Sequence, residues 1–319
     1  EPLAKNGSAS LWDIGDGVLC LEFHSKMNAL DPDVMAMIKK AVERVPGSYK
    51  ALVIHNEASN FSVGANIGLA LYAANMAAWS EIEDMVRLGQ EAYRALKHAP
   101  FPVVGAPSGM ALGGGCEVLL HCDAVEAHAE TYMGLVEVGV GLVPGWGGCK
   151  EMLSRASADP KLPGGPMPPV IKAFETISMA TVAKSAVEAK DHLYLRPDDG
   201  VVMNRERVLA AAKERALSLA EDYIPPEPGE LSLPGPTARA AMKMAVDGFR
   251  KLGRATPHDE VVAGALAEVL SGGDTDVTES LSEDAILELE RSAFMSLIRH
   301  PGTLARMQHM LETGKPLRN

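Results

Sequence analysis

Cysteine is scarce in this sequence: four residues in 319, Cys20, Cys116, Cys122 and Cys149, with no Cys-x-x-Cys pair. That excludes a disulfide framework and a cysteine zinc site, and it suits a reducing, cytoplasmic compartment. Basic residues are outnumbered, 30 Lys and Arg against 42 Asp and Glu, for a net charge of -12. A nucleic-acid partner calls for a basic face, which this balance argues against. A local basic patch for a phosphorylated ligand is still compatible with it. No apolar run approaches the roughly 18 residues of a membrane span, and no signal peptide is visible. A starting Met is also lacking. The chain opens on Glu1-Pro2 and reads as a fragment or a processed product. No G-x-S-x-G elbow anchors a serine-hydrolase reading. No G-x-G-x-x-G dinucleotide fingerprint is present. Gly145-Trp146-Gly147-Gly148-Cys149-Lys150 superficially suggests a phosphate loop, but its spacing departs from G-x-x-x-x-G-K-[ST]. None of the nine histidines forms an obvious metal-ligand pair on one helix face, so no metal site is expected.

What remains is ordinary globular material, 47% hydrophobic and 23% charged, enough for one large domain or one domain with a helical appendage. Residues 1–13 read as a loose leader. Val18–Phe23 reads as a strand, and a helix follows over 32–45, with Asp31 as its cap and Pro32 at its first position. Ala51–His55 reads as a strand buried on both faces. Strand, helix, strand in that order predicts an α/β fold with partly parallel pairing. A long helical segment over 67–97 is expected to break near Trp79-Ser80. Pro102–Ala106 and Ala124–Ala127 are further strands. A composition shift near 195 divides a core, 14–195, from a mostly helical region, 196–319. The latter holds a helix near 204–222, then three or four more over 237–312.

The most informative stretch is Ser108-Gly109-Met110-Ala111-Leu112-Gly113-Gly114-Gly115-Cys116-Glu117. Three glycines precede a helix, and a carboxylate sits where they give way to it. Glycine admits close backbone approach, and the first helical N–H groups lack intrahelical partners. With the helix dipole, this offers donors to an anionic oxygen. Glu117 and Glu137 both lie in glycine-rich, apolar surroundings, where a charge is costly without a task or a partner. Two carboxylates on one ligand can do paired acid–base work. Each could instead cap a helix or pair with a buried cation. For Glu137 the pattern leaves both readings open; for Glu117 the glycine triplet calls for its own explanation. The Ala65 amide could be a second donor beside Gly114, although that stretch alone reads better as a plain turn. Trp146, between glycines, is either a pocket wall or a core residue.

Four segments together resemble the crotonase (enoyl-CoA hydratase/isomerase) superfamily. They are Lys26-Met27-Asn28-Ala29-Leu30, Phe61-Ser62-Val63-Gly64-Ala65-Asn66-Ile67, Ala111–Glu117, and Glu137 with Gly141 and Pro144-Gly145-Trp146-Gly147-Gly148. The likeness covers about residues 14–195. It implies a spiral of ββα units followed by helices, often assembled as trimers, so a homo-oligomer is an option. It further implies a thioester oxygen bound by the Ala65 and Gly114 amides, with Glu117 and Glu137 as catalytic carboxylates. Lys26, Met27, Ala29, Ser62, Gly64, Asn66, Ile67 and Trp146 would contact the acyl-CoA. Both carboxylates favour hydration over single-base isomerisation; a non-catalytic acyl-CoA-binding domain is a further alternative. No cofactor is expected beyond the CoA of the substrate. Asn66 replaces the family's usual Asp, and Gly68 stands where a Lys often follows. The loop 157–169 and the long tail resemble the C-terminal part of bacterial proteins that fuse 3-hydroxyacyl-CoA dehydrogenase domains to a hydratase.

Overall fold

The computed structural model describes all 319 residues. In chain order, the strands are β1 (Ala4–Lys5), β2 (Ala9–Asp13), β3 (Val18–Phe23), β4 (Ala51–His55), β5 (Val103–Ala106), β6 (Met110–Leu112), β7 (Ala124–His128), β8 (Tyr132–Gly134), β9 (Gly200–Val202), β10 (Glu230–Ser232) and β11 (Ser280–Ser282). The helices are α1 (Pro32–Arg44), α2 (Ile67–Asn75), α3 (Trp79–Lys97), α4 (Gly114–Leu120), α5 (Gly148–Ala158), α6 (Met167–Ser178), α7 (Ala186–Asp191), α8 (Val208–Leu219), α9 (Pro236–Lys251), α10 (Pro257–Ser271), α11 (Glu283–Ile298) and α12 (Pro301–Thr313). The expected break in the long helix falls at residues 76–78, where Ala77 takes a positive φ of 53°. None of the helices is long and apolar enough to cross a membrane.

The chain divides into two compact units that interleave along the sequence. The first comprises Glu1–Asn66, Leu88–Gly134 and Val182–Glu227. Its seven-stranded sheet runs β1-β2-β3-β4-β5-β7-β9. β1, β2 and β3 pair antiparallel, and every later pairing is parallel, including Val18 with Ala51 and Leu52 with Val103. All five residues of β4 are buried, as befits a parallel strand covered on both faces. Helix α8 lays Val208, Ala212 and Ala216 on the sheet residues Val18, Val53, Val104 and Ala124. Small Ala side chains on that helix let it approach the sheet closely. β6 and β8 form a separate parallel pair that aligns Ala111 with Met133.

Two sequence expectations need correction here. Residues 1–13 are no loose leader: β2 pairs along its length with β3, Ala9 opposite Phe23 and Asp13 opposite Leu19. Ala9 and Leu11 are buried, and the Trp12 ring nitrogen donates to Glu22 at 2.8 Å. A short strand acquires its identity from the neighbours it pairs with, here β1 and β3, so its own composition reveals little. The division near 195 is not followed either, because β9 and α8 belong to the first unit. The composition shift marks a change in element type, whereas packing onto the sheet decides membership.

The second unit comprises Ile67–Arg87, Leu135–Thr181 and Pro228–Asn319. It is helical, with α10 packed on α9, α6 and α11, and α12 on α2. The short antiparallel pair β10–β11 is its only sheet. Asp31 caps α1 as expected, accepting the Val34 amide at 3.0 Å. The four cysteines form no disulfide and all are buried, Cys20 deeply enough that burial pushes its thiol up to about 12.

Candidate active site

In the first unit, three of the motif segments meet through Ser62, which is fully buried. Its hydroxyl donates to the Asn28 carbonyl at 2.7 Å and accepts the Gly64 amide at 3.1 Å. Its own amide donates to the Met110 carbonyl, and its carbonyl accepts the Leu112 amide, both at 2.9 Å. Segment 26–30 curls tightly, with Met27 and Asn28 at positive φ of 57° and 53°. The Asn28 side chain ties this curl to the Asn60 carbonyl at 3.0 Å. Leu30 then bridges the Gly64–Asn66 turn through Leu30 N to Gly64 O at 2.9 Å and Asn66 N to Leu30 O at 3.0 Å.

The glycines have separate tasks. Gly113 precedes α4 with φ 53° and ψ -127°, a conformation closed to side chains. A Cβ on Gly115 would sit 2.6 Å from Ser62 Cβ and 2.8 Å from its carbonyl, so only glycine lets the two segments approach. Gly64, at φ 94°, comes so near the triplet that a Cβ there would lie 3.3 Å from the Gly114 nitrogen. The Ala65 amide is thereby brought close to the start of α4. Neither the Ala65 nor the Gly114 amide takes part in the backbone bonds that tie these segments together. Glu117 lies in the first turn of α4 and is only 2% exposed.

Lys26 and Met27 stand exposed beside this arrangement, and Ala29 and Asn66 are half-buried. The structure therefore gathers Lys26, Met27, Ala29, Ser62, Gly64, Ala65, Asn66, Gly114 and Glu117 in the first unit. Ile67, Glu137 and Trp146 belong to the second. There Ile67 opens α2, and half-buried Glu137 opens a single 3-10 turn ending at Gly141. Trp146 is buried, 6% exposed, among the glycines that lead into α5.

The structure also accounts for the rejected phosphate loop. The amides of Gly147 and Lys150, at the start of α5, both donate to the Glu290 carboxylate at 2.8 Å. A helix N-terminus attracts an anion, and here the chain supplies its own. Lys150, 1% exposed, is held among Glu151, Glu283 and Glu290; burial opposes its charge, yet these carboxylates raise its pKa above the usual lysine value.

Sequence reasoning missed Tyr93 and His121. Tyr93, fully buried on α3, donates its hydroxyl to the Gly114 carbonyl at 2.9 Å. His121 places Nδ1 2.7 Å from the Glu117 carbonyl, and its ring centroid lies 5.5 Å from that of Tyr93. Together they brace the first turns of α4 from behind. Tyr93 shares the apolar stripe of α3 with Ile82, Val86 and Leu96, so periodicity marks it as core and conceals the hydroxyl's partner. Tyr93→Phe keeps the ring and removes one of the two bonds to the Gly114 carbonyl, which also accepts within α4; the loss costs about 0.5–1.5 kcal/mol. A lowered urea midpoint with an unchanged denaturant slope is the expected result; an unchanged midpoint would show that the bond does not matter.

The family model described as Enoyl-CoA hydratase/isomerase matches residues 13–158. A Bacillus subtilis protein named "Probable 3-hydroxyacyl-CoA dehydrogenase" is 42% identical over 99% of this chain and 40% of its own length. The crotonyl-CoA hydratase of Syntrophomonas wolfei is 34% identical over 42% of this chain and 52% of its own. The chain thus spans about two fifths of the first relative and about half of the second. The crystal structure of an enoyl-CoA hydratase from Bacillus halodurans shares the fold, with a TM-score of 0.65, 16% identity, and coverage of 95% of this chain and 99% of that one. Residues 13–158 of this chain thus match the enoyl-CoA hydratase/isomerase (crotonase) family model, and the chain shares its fold with a solved enoyl-CoA hydratase.

Proposed function

We propose that the chain is an enoyl-CoA hydratase that adds water across the 2,3 double bond of a trans-2-enoyl-CoA in fatty-acid β-oxidation. The observation that supports this reading is the close approach of Gly64 to Gly114 at the start of a helix; in this reading the amides of Ala65, next along the chain, and Gly114 act as the donor pair. The thioester carbonyl accepts a hydrogen bond from each. Negative charge grows on that oxygen as the nucleophile adds at C3, and donors already aimed there stabilise it without reorganising. Glu117 and Glu137 divide the proton work. One takes a proton from water as its oxygen bonds to C3, and the other delivers a proton to C2. The addition is redox-neutral and calls for no electron carrier. Exposed Lys26 and Met27 lie along the CoA, and Trp146 borders the acyl chain.

The name of the Bacillus subtilis relative, and its greater length, support a second part of the proposal. The hydratase works as a module of a larger protein that also holds 3-hydroxyacyl-CoA dehydrogenase domains. The product of hydration, a 3-hydroxyacyl-CoA, is the substrate that such domains oxidise. The test is to incubate the purified chain with a short trans-2-enoyl-CoA and follow loss of the conjugated thioester absorbance, with mass detection of the hydrated product. Turnover to the hydrated thioester is expected. Conversion of a 3-enoyl to a 2-enoyl thioester without hydration would make the chain an isomerase. Binding without turnover would make it an acyl-CoA-binding domain.

A further inference from the structure

The turn that carries Glu137 is held by side chains from far along the chain. Within the turn, Gly141 N donates to Val138 O at 3.1 Å and Leu142 N to Glu137 O at 3.0 Å. Two other bonds reach its carbonyls from α12. Thr303 Oγ1 donates to Gly141 O at 2.8 Å, and Arg306 Nη1 donates to Val138 O at 3.1 Å. Both residues are buried, 0% and 2% exposed.

Each of the two is itself pinned. His258 Nε2 lies 3.0 Å from Thr303 Oγ1. The hydroxyl's one proton goes to Gly141, so His258 supplies the N–H of that contact. The imidazole is neutral, because burial, with Arg306 and His300 adding to it, lowers its pKa to about 4. Arg306 also donates to Asp259 Oδ1 at 2.6 Å, Thr256 Oγ1 at 3.1 Å and Asn319 Oδ1 at 2.8 Å. A guanidinium committed to four acceptors has little freedom to move, and neither has the carbonyl it holds.

A Cβ on Gly141 would lie 2.9 Å from Thr303 Oγ1, so the clamp meets the backbone directly. A cavity of about 450 Å³ borders Val138 and Gly139 and is lined also by Arg306 and its partner Asp259. A Cβ on Gly139 would meet nothing within 4 Å. A turn beside a cavity is free to shift into it unless its polar bonds prevent that.

We propose that Thr303 and Arg306 are positioning residues that hold the Glu137 turn in place for the proton step. The proposal rests on the hydratase reading. A proton transfer depends on geometry at the ångström level, and a displacement of about 1 Å can cost 10²-fold. The decisive pair is Thr303→Val, which removes the hydroxyl at nearly constant volume, and Thr303→Ser, which keeps it. Arg306→Met against Arg306→Lys is the companion pair, although the Met variant also strands Asp259. Thr303→Val is expected to lower kcat by about 10- to 10²-fold while KM stays at the wild-type value. Backbone amides at 137–142 should exchange with deuterium faster, with exchange in the sheet strands unchanged. Thr303→Ser should behave as wild type in both measurements. Wild-type kcat and exchange in Thr303→Val would overturn the proposal, and so would equal losses in the Val and Ser variants. A wild-type chain without hydratase activity would sink the functional reading instead, and the exchange arm would still decide whether Thr303 holds the turn.

Discussion

Glu117→Gln lowers kcat for hydration of a trans-2-enoyl-CoA by about 10²–10⁴-fold, the range a positioned general acid or base contributes. Gln matches Glu in size and keeps hydrogen-bonding atoms at the same places. It can neither take a proton from water nor return one to C2. Glu117 is 2% exposed in the first turn of α4, braced from behind by Tyr93 and His121. Because Gln fills the same space, the variant should remain folded and bind substrate as before. Steady-state kinetics and a urea unfolding curve check both halves of this statement. A wild-type hydration rate in Glu117→Gln would end the two-carboxylate mechanism and leave a single-base reaction through Glu137.

Gly64→Ala should be nearly as damaging, for a reason that involves no functional group. Gly64 sits at φ 94°, and the added Cβ would lie 2.9 Å from the Leu112 carbonyl and 3.3 Å from the Gly114 nitrogen. Positive φ costs a side-chain-bearing residue roughly 1–2 kcal/mol. Both clashing atoms are backbone, so no rotamer change relieves the contact, and the 64–65 turn has to retreat from α4. The Ala65 and Gly114 amides then diverge, and losing one such donor typically costs about 10²–10³ in rate. Overpacking of this kind destabilises by about 1–3 kcal/mol, which leaves a domain of ordinary stability folded. Gly164→Ala is the matching control, because a Cβ there meets nothing within 4 Å and its φ is not positive. The measurement is kcat beside an unfolding curve for each variant. If Gly64→Ala keeps the wild-type kcat, the Ala65 amide is not a donor to the substrate.

Much of the fold was legible because it is written in local chemistry. Asp31 before Pro32 announced α1, and the five apolar residues of β4 announced a strand buried on both faces. The break after α2 fell within a few residues of its expected position. β2, β10 and β11 went unseen, since short strands of mixed composition are stabilised by partners remote in the chain. The site divides the same way. Gly113 and Gly64 stand out in the sequence because backbone conformation is a property of one residue and its neighbours. The reason for Gly115, the approach of Ser62, belongs to two segments about fifty residues apart.

By itself, then, the sequence determined the class of fold, the helix starts, the glycine turns and the two carboxylates worth testing, because φ/ψ preference, capping and periodicity act over a few residues. Only the tertiary structure decided that Tyr93 braces Gly114, that Glu290 fills the start of α5, and that Thr303 and Arg306 grip the Glu137 turn across more than 160 residues. Those contacts join side chains of ordinary type on helices that read as plain core or surface. Hydrogen bonding is short-ranged in space and indifferent to distance along the chain, so their partners become visible only once the chain has folded.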